Sequence, residues 1–429
     1  MNGLLARQAR ALVILAGCLI AVSQMPAAAT VLELRCAKAT YLVDQPFFVT
    51  VAVRNGGTAD VPLLPMLDPS MGLLTFEIGA PDGTVRAYRP QGQATLAAEG
   101  IAESVIWLVP GGDYDAAVDL TYEMRGGKPA TVLSQPGEYR LRARYSIPKD
   151  WPAGPLSLSS DEVPITVGQP QGVDAEAHAA LYDCALPYDL RPWNAAKQQQ
   201  ESYERVLRDY PESAYALYAR FSLGDILNFD GVHRMRGTPA GASSLERAAV
   251  LYRDAAEEDG DTPFGLYALR VAARCFAQLG DSTTAQDLLE RSFLSPAATA
   301  DDRVWALTFM DHVQTGVFRR GSGYGPATPT ARLQVPLRRF ADALGFRVDW
   351  DSSRRAVTAS GARAKAVFRP DKGAIVINGA PRKGLWTSLA QGQTLVSPSV
   401  IATLMAEQYG TGMAKALAPL LAAAPIPRR

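Results

Sequence analysis

Hydrophobic and polar positions change their period twice along the chain. In Tyr139-Arg140-Leu141-Arg142-Ala143-Arg144-Tyr145 they alternate strictly, so Tyr139, Leu141, Ala143 and Tyr145 share one face of a strand and three arginines take the other. Upstream, Phe47-Phe48-Val49-Thr50-Val51-Ala52-Val53 has the composition of a buried strand, and Arg54-Asn55-Gly56-Gly57 supplies the turn after it. These patterns predict a β region over residues 30–170. From residue 171 the period becomes helical, with amphipathic helices predicted over 201–210, 215–229, 245–258, 264–279 and 284–293 and a turn opening at Gly280-Asp281. Residues 203–219 align without gaps on 252–268, an offset of 49 residues, which marks an internal repeat inside a helical region over 171–316.

A Gly/Pro-rich linker follows over 317–331, then a small α+β domain over 332–410 and an Ala/Pro-rich tail over 411–429. In this domain Leu337, Phe340, Ala341 and Leu344 form one apolar helix stripe that Gly345 ends. Residues 347–350 and 356–359 read as a hairpin around Asp351-Ser352-Ser353, and a second strand, proline and helix unit follows over 394–405.

The amino terminus reads as a targeting segment over 1–29. Arg7 and Arg10 precede an apolar run from Ala11 to Val22, and Ala27-Ala28-Ala29 offers small residues for cleavage before Thr30. Leu15-Ala16-Gly17-Cys18 also resembles a bacterial lipobox, in which Cys18 would be acylated, so two processing routes stand. Both imply export to the periplasm, cell surface or medium. Cys36, Cys184 and Cys275 share no CxxC spacing; Cys184 and Cys275 read either as packed free thiols or as a pair.

At 429 residues with 48% hydrophobic and 20% charged positions, the chain is long enough for several separate cores and too apolar for extended disorder. Its formal net charge of zero conceals an asymmetry. Residues 332–429 hold 15 Lys and Arg against 5 Asp and Glu, a net +10, while the two upstream regions are acidic. Arg338, Arg339, Arg354, Arg355, Arg382 and Lys383 fall on the outward helix face and on turns, which predicts a cationic surface for an anionic envelope polymer or acidic lipid headgroups. Nucleic acid is disfavoured by export and by the lack of an aromatic platform between these charges.

Three resemblances refine this reading. Gly137-Glu138-Tyr139-Arg140-Leu141 resembles the G-x-Y-x-C run of immunoglobulin-type domains, with Leu141 where the cysteine stands, which implies a disulfide-free all-β Ig-like sandwich with Tyr139 in a corner contact. The Asn55-Gly56-Gly57 turn resembles bacterial Ig-like modules that include proteinase inhibitors, and on that alternative the exposed loop 66–73 would enter a protease. Leu223-Gly224, Leu279-Gly280 and Ala285 resemble tetratricopeptide-like repeats, interrupted by an insertion at 231–244; such repeats imply a protein partner. Residues 335–351, with Val335-Pro336-Leu337-Arg338 and Val348-Asp349-Trp350-Asp351, resemble the copper amine oxidase N-terminal-like domain, continued by Ile377-Asn378-Gly379 and Thr394-Leu395-Val396-Ser397-Pro398. That resemblance implies a small antiparallel sheet wrapped on a helix, without chemistry of its own.

Catalytic and metal signals are weak. His178, His233 and His312 form no cluster in sequence and none falls in the last domain, so no metal, cofactor or catalytic residue is expected. Ser146-Ile147-Pro148-Lys149 spells an S-x-x-K but follows a strand, and Asp349 to Ser353 begins like a calcium loop without its glycine or terminal glutamate. The expectation is a non-catalytic exported binding or scaffolding protein. An enzyme with a site near Asp225, Asp230 and His233 is the remaining alternative.

Overall fold

The computed structural model describes residues 30–92, 105–151, 153–181, 193–234, 236–315, 335–370, 374–382, 385, 387–390, 393–409 and 413. Residues 1–29, where a targeting segment is expected, Cys184, the expected linker over 317–331 and Lys383 lie outside the described residues, as does the stretch 411–429 apart from Met413.

The first region is β-rich. Phe48–Asn55 is the central strand of a three-stranded antiparallel sheet, between Thr30–Cys36 and Asp113–Asp119. A second sheet runs in the order Thr40–Leu42, Val163–Gly168, Gly137–Ile147, Leu74–Gly79, Val85–Ala87, with Leu156–Ser159 paired to the end of Gly137–Ile147. Its pairs are antiparallel except that Thr40–Leu42 runs parallel to Val163–Gly168. The continuous apolar run of Phe48–Asn55 has a physical cause: Val49, Val51 and Val53 are fully buried on one side, and on the other Phe48 packs 5.5 Å from the Phe264 ring of the helical region. Along Gly137–Ile147 the alternation holds. Tyr139, Leu141, Ala143 and Tyr145 are buried, while Arg140 and Arg142 reach Glu162 and Arg144 reaches Glu77 on the outer face. The Tyr139 hydroxyl donates to Gln135 O and accepts from Gln135 N, both at 3.1 Å, a corner contact that fixes the entry to the strand. Gly137 before it is obligatory, because its φ is +132° and a Cβ there would lie 2.6 Å from Pro81 Cβ.

The middle region is helical: α1 (Val173–Leu181), α2 (Trp193–Asp209), α3 (Ala216–Phe229), α4 (Pro239–Asp259), α5 (Pro263–Leu279), α6 (Ser282–Leu294) and α7 (Ala300–Thr315), each packed on the next. The repeat aligns α2-turn-α3 on α4-turn-α5. Residues 231–244 are not a simple loop insertion. Asp230–Arg234 forms a π-helical turn, and α4 already begins at Pro239, capped by Thr238 Oγ1 accepting from Gly241 N at 3.1 Å. Thr238-Pro239 is an N-cap followed by proline at the first helical position, a start signal that the glycine and serines after it obscure. The two Leu-Gly pairs do different work. Gly280 ends α5 at φ +93°, whereas Gly224 lies inside α3, where a Cβ would stand 3.0 Å from the Tyr252 ring of α4.

The last region has a five-stranded and a three-stranded antiparallel sheet with two helices, α8 (Leu337–Ala343) and α9 (Pro398–Tyr409). Arg347–Asp351, Ala356–Ser360, Lys365–Arg369, Ala374–Ile377 and Ala380–Pro381 pair in sequence order. Val335–Pro336 pairs with Gln393–Val396, which brings the two proline-started helices together. Leu337, Phe340 and Ala341 are buried, and Gly345 takes φ +74°. At the hairpin Asp351 Oδ1 accepts from Ser353 N, Ser353 Oγ and Arg354 N.

Separate cores do not form. Buried apolar side chains of all three regions belong to one contiguous cluster. Phe293 of α6 stacks on Phe340 of α8 at 4.5 Å, Asp115 Oδ1 of the β region accepts from Ala300 N at the start of α7, and Arg363 pairs with Asp60 at 3.7 Å. No helix among the described residues is long and apolar enough to cross a membrane.

Candidate functional site

Two concave surfaces gather chemistry. One is a groove of about 430 Å³ on the last region, lined by Leu337, Arg338 and Arg339 of α8 and by Val348, Trp350 and Val357 of the sheet. Val348 and Trp350 are two apart on one strand and Trp350 faces Val357 across the ladder, so strand periodicity puts all three on one face. Trp350 is 49% exposed, a large apolar ring left open beside two guanidinium groups. Arg338 and Arg339 are exposed on α8, and Arg338 Nη2 donates to Val348 O at 3.3 Å, leaning over the strand.

Arg354, Arg355 and Arg382 do not join this groove wall. Arg354 sits exposed on the hairpin turn with Asp351 3.7 Å away, and Arg355 beside it takes φ +48°. Arg382 is half-buried and pairs with Glu407 of α9, whose other carboxylate oxygen accepts from Asn378 Nδ2 at 2.9 Å. Among the described basic residues, only Arg338 and Arg339 therefore line the groove. An aromatic ring does lie beside these charges: the alternation Val348-x-Trp350 carried that signal, but the pattern alone did not say that α8 would sit alongside.

The second surface is a cleft of about 400 Å³ where the β region meets the helices. From α3 it takes Tyr218, Ser222, Asp225 and Phe229, and from α5 Phe264, Tyr267 and Arg274. These positions recur at helical spacing, so each helix presents one face to the cleft. The β region closes it with Phe48, Asp119 and Tyr122, and the hydroxyls of Tyr122 and Tyr218 hydrogen-bond across the junction. Asp225 Oδ1 accepts from Tyr252 Oη at 2.5 Å. Burial among the surrounding atoms raises the Asp119 carboxyl pKa, although water reaches the group within the cleft; hydrogen bonds from Thr121 partly offset the shift. Tyr267 is pushed up to about 12, chiefly by burial and further by Asp225. Of the residues weighed for an enzymatic site, Asp225 and His233 are exposed on the cleft wall and Asp230 is half-buried in the π-helical turn.

Other candidates resolve into structure. Segment 66–73 is not an exposed loop: Leu67 and Leu73 are buried, Asp68 caps the turn Pro69–Met71, and Tyr145 Oη holds Leu64 O at 2.6 Å just before it. His178 Nε2 lies 3.0 Å from Asp44 Oδ2 at the junction. Cys275 is a buried free thiol, its pKa pushed up to about 12 by burial. Among the described residues no three His, Cys, Asp or Glu gather as a metal site would.

Residues 325–409 match the family model of the copper amine oxidase N-terminal domain, so the match begins inside the Gly/Pro-rich stretch. No curated protein matches the chain. Among solved structures, a polysaccharide lyase is similar at 8% identity and a TM-score of 0.14, over 68% of this chain; the chain spans 47% of that structure's length. A likeness at that TM-score carries no argument about fold or activity.

Proposed function

We propose that the protein is an exported, non-catalytic binding protein of the cell envelope whose last module holds an anionic polymer in the Trp350 groove. The observation that carries this reading is the exposed Trp350 ring beside Arg338 and Arg339 in one concave surface. A ring and two guanidinium groups suit a chain that offers apolar ring faces and regularly spaced anions. A polymer is favoured over a lipid surface because the basic residues are divided. Arg382 is engaged by Glu407 and Arg354 by Asp351, which leaves a groove rather than a broad cationic plane. The Tyr139 corner contact supports an immunoglobulin-type reading of the β region, and the helix pairs around the 49-residue offset support a tetratricopeptide-like reading of the middle region. Export rests on the Arg7, Arg10 and Ala27-Ala28-Ala29 pattern.

The test is cosedimentation of the full mature chain with anionic wall polymer and with anionic vesicles at low and high salt. Polymer binding should weaken steeply with salt, since the Debye length shrinks to about 3 Å at 1 M. Arg338→Glu with Arg339→Glu should abolish it, and Trp350→Ala should weaken it about tenfold, without lowering the melting temperature by more than a few degrees. Binding to vesicles alone, or polymer binding indifferent to both variants, defeats the proposal.

A further inference from the structure

The cleft between the β region and the helices is a separate surface from the Trp350 groove, and its chemistry differs. Its volume of about 400 Å³ falls within the roughly 300–1,000 Å³ of small-ligand pockets. Two of its rings are unusually open for aromatic side chains: Tyr267 is 39% exposed and Phe229 37% exposed. Tyr267 is nevertheless braced, with its ring 5.6 Å from Phe221 and 6.1 Å from Phe48, and with the Arg270 guanidinium 5.8 Å from its centroid. An open ring held in place by packing loses little conformational freedom when something stacks on it.

The polar part of the lining is mixed. Asp119 and Asp225 offer carboxylate acceptors, while Arg274 offers guanidinium donors and makes no hydrogen bond or ion pair with the described residues. With two carboxylates against one arginine and a histidine the lining has no excess of positive charge to hold a polyanion, and its mixed donors and acceptors suit a ligand with many hydroxyls and no net charge. A pyranose ring has both properties, with an apolar C–H face to lie on an aromatic ring and hydroxyls around its edge for planar carboxylate and guanidinium groups.

We infer that this cleft binds a short neutral oligosaccharide, stacked on Tyr267 and Phe229 and hydrogen-bonded by Asp119, Asp225 and Arg274. The site is independent of the polymer groove: it is built by α2, α3, the π-helical turn after it, α5 and the β region, and none of its residues belongs to the last module.

Titration calorimetry on the full mature chain tests it, with cellotriose, xylotriose, maltotriose and chitotriose as neutral probes and trigalacturonate as the charged one. At least one neutral trisaccharide should bind at concentrations up to about 10 mM, the weak end of specific recognition. Tyr267→Ala and Phe229→Ala should each weaken that binding roughly tenfold, the contribution of one stacking ring. Tyr267→Phe, which keeps the ring, should bind nearly as the parent does. Arg274→Ala changes an exposed side chain, so it should weaken binding with an unchanged thermal melt. Arg338→Glu with Arg339→Glu should leave trisaccharide binding intact, which separates this site from the groove. The inference is overturned by no neutral binding at all, by binding of trigalacturonate alone, by equal binding in the Tyr267→Ala, Phe229→Ala and Arg274→Ala proteins, or by loss of binding in the groove variant.

Discussion

Asp302 is almost fully buried and serves two partners at once. Its Oδ1 lies 2.5 Å from Arg270 Nη1, and its Oδ2 accepts from Thr299 N at 3.0 Å and Thr299 Oγ1 at 2.7 Å. Thr299 Oγ1 accepts in return from Asp302 N at 3.1 Å, a reciprocal cap at the start of α7. Arg270 is itself mostly buried and stands over the Trp305 ring at 5.4 Å. Removing the carboxylate would leave that guanidinium unpaired and the helix start uncapped together. Asp302→Ala should therefore destabilise the protein by about 3 kcal/mol or more, while Arg338→Ala, an exposed change, should cost little; urea unfolding of the two variants decides this. The Thr299-x-x-Asp302 cap is readable as a motif, but its pairing with Arg270 is not, because nothing in the spacing says that α5 and α7 lie side by side.

Helix starts show the same division between local code and tertiary choice. Thr238-Pro239 and Thr262-Pro263 each place a capping hydroxyl before a proline, and in both cases the threonine oxygen accepts from the amide three residues on. Asp281 does the same for α6, accepting from Thr284 N at 3.0 Å. Thr262→Ala should cost about 1 kcal/mol in urea unfolding, the usual worth of such a cap, and Thr262→Ser should restore most of it. Where apolar periodicity is strong, as in α5, the helix was legible to within a residue or two. Where Gly241, Ser243 and Ser244 dilute it, the first turns of α4 read as an insertion, although the cap signal was present.

Across the whole molecule the regions are bound into one core. Phe340 of α8 is fully buried and stacks on Phe293 of α6, and α9 touches both α7 and the strand Ile106–Leu108 of the β region. Phe340→Ala should accordingly lower overall stability by about 3–5 kcal/mol. It should also raise amide hydrogen exchange in α6 along with the last module. Unchanged protection in α6 would mean that the last region unfolds alone and that its contact with the helices contributes little.

What the sequence determined by itself is local. Alternation set the faces of Gly137–Ile147, the Gly137-x-Tyr139 run set the corner contact, and the pattern around Val335 and Trp350 identified the last module, because each depends on residues within a turn or two of one another. The tertiary structure alone decided which faces meet. It put Trp350 beside Arg338 and Arg339, diverted Arg382 to Glu407, and closed the cleft by bringing Asp119 and Tyr122 against Tyr218, Tyr267 and Arg274. The cleft residues come from elements far apart in the chain, and even Trp350 and Arg338, on neighbouring elements, meet only because the apolar faces of sheet and helices are buried against each other, a constraint that no local spacing encodes.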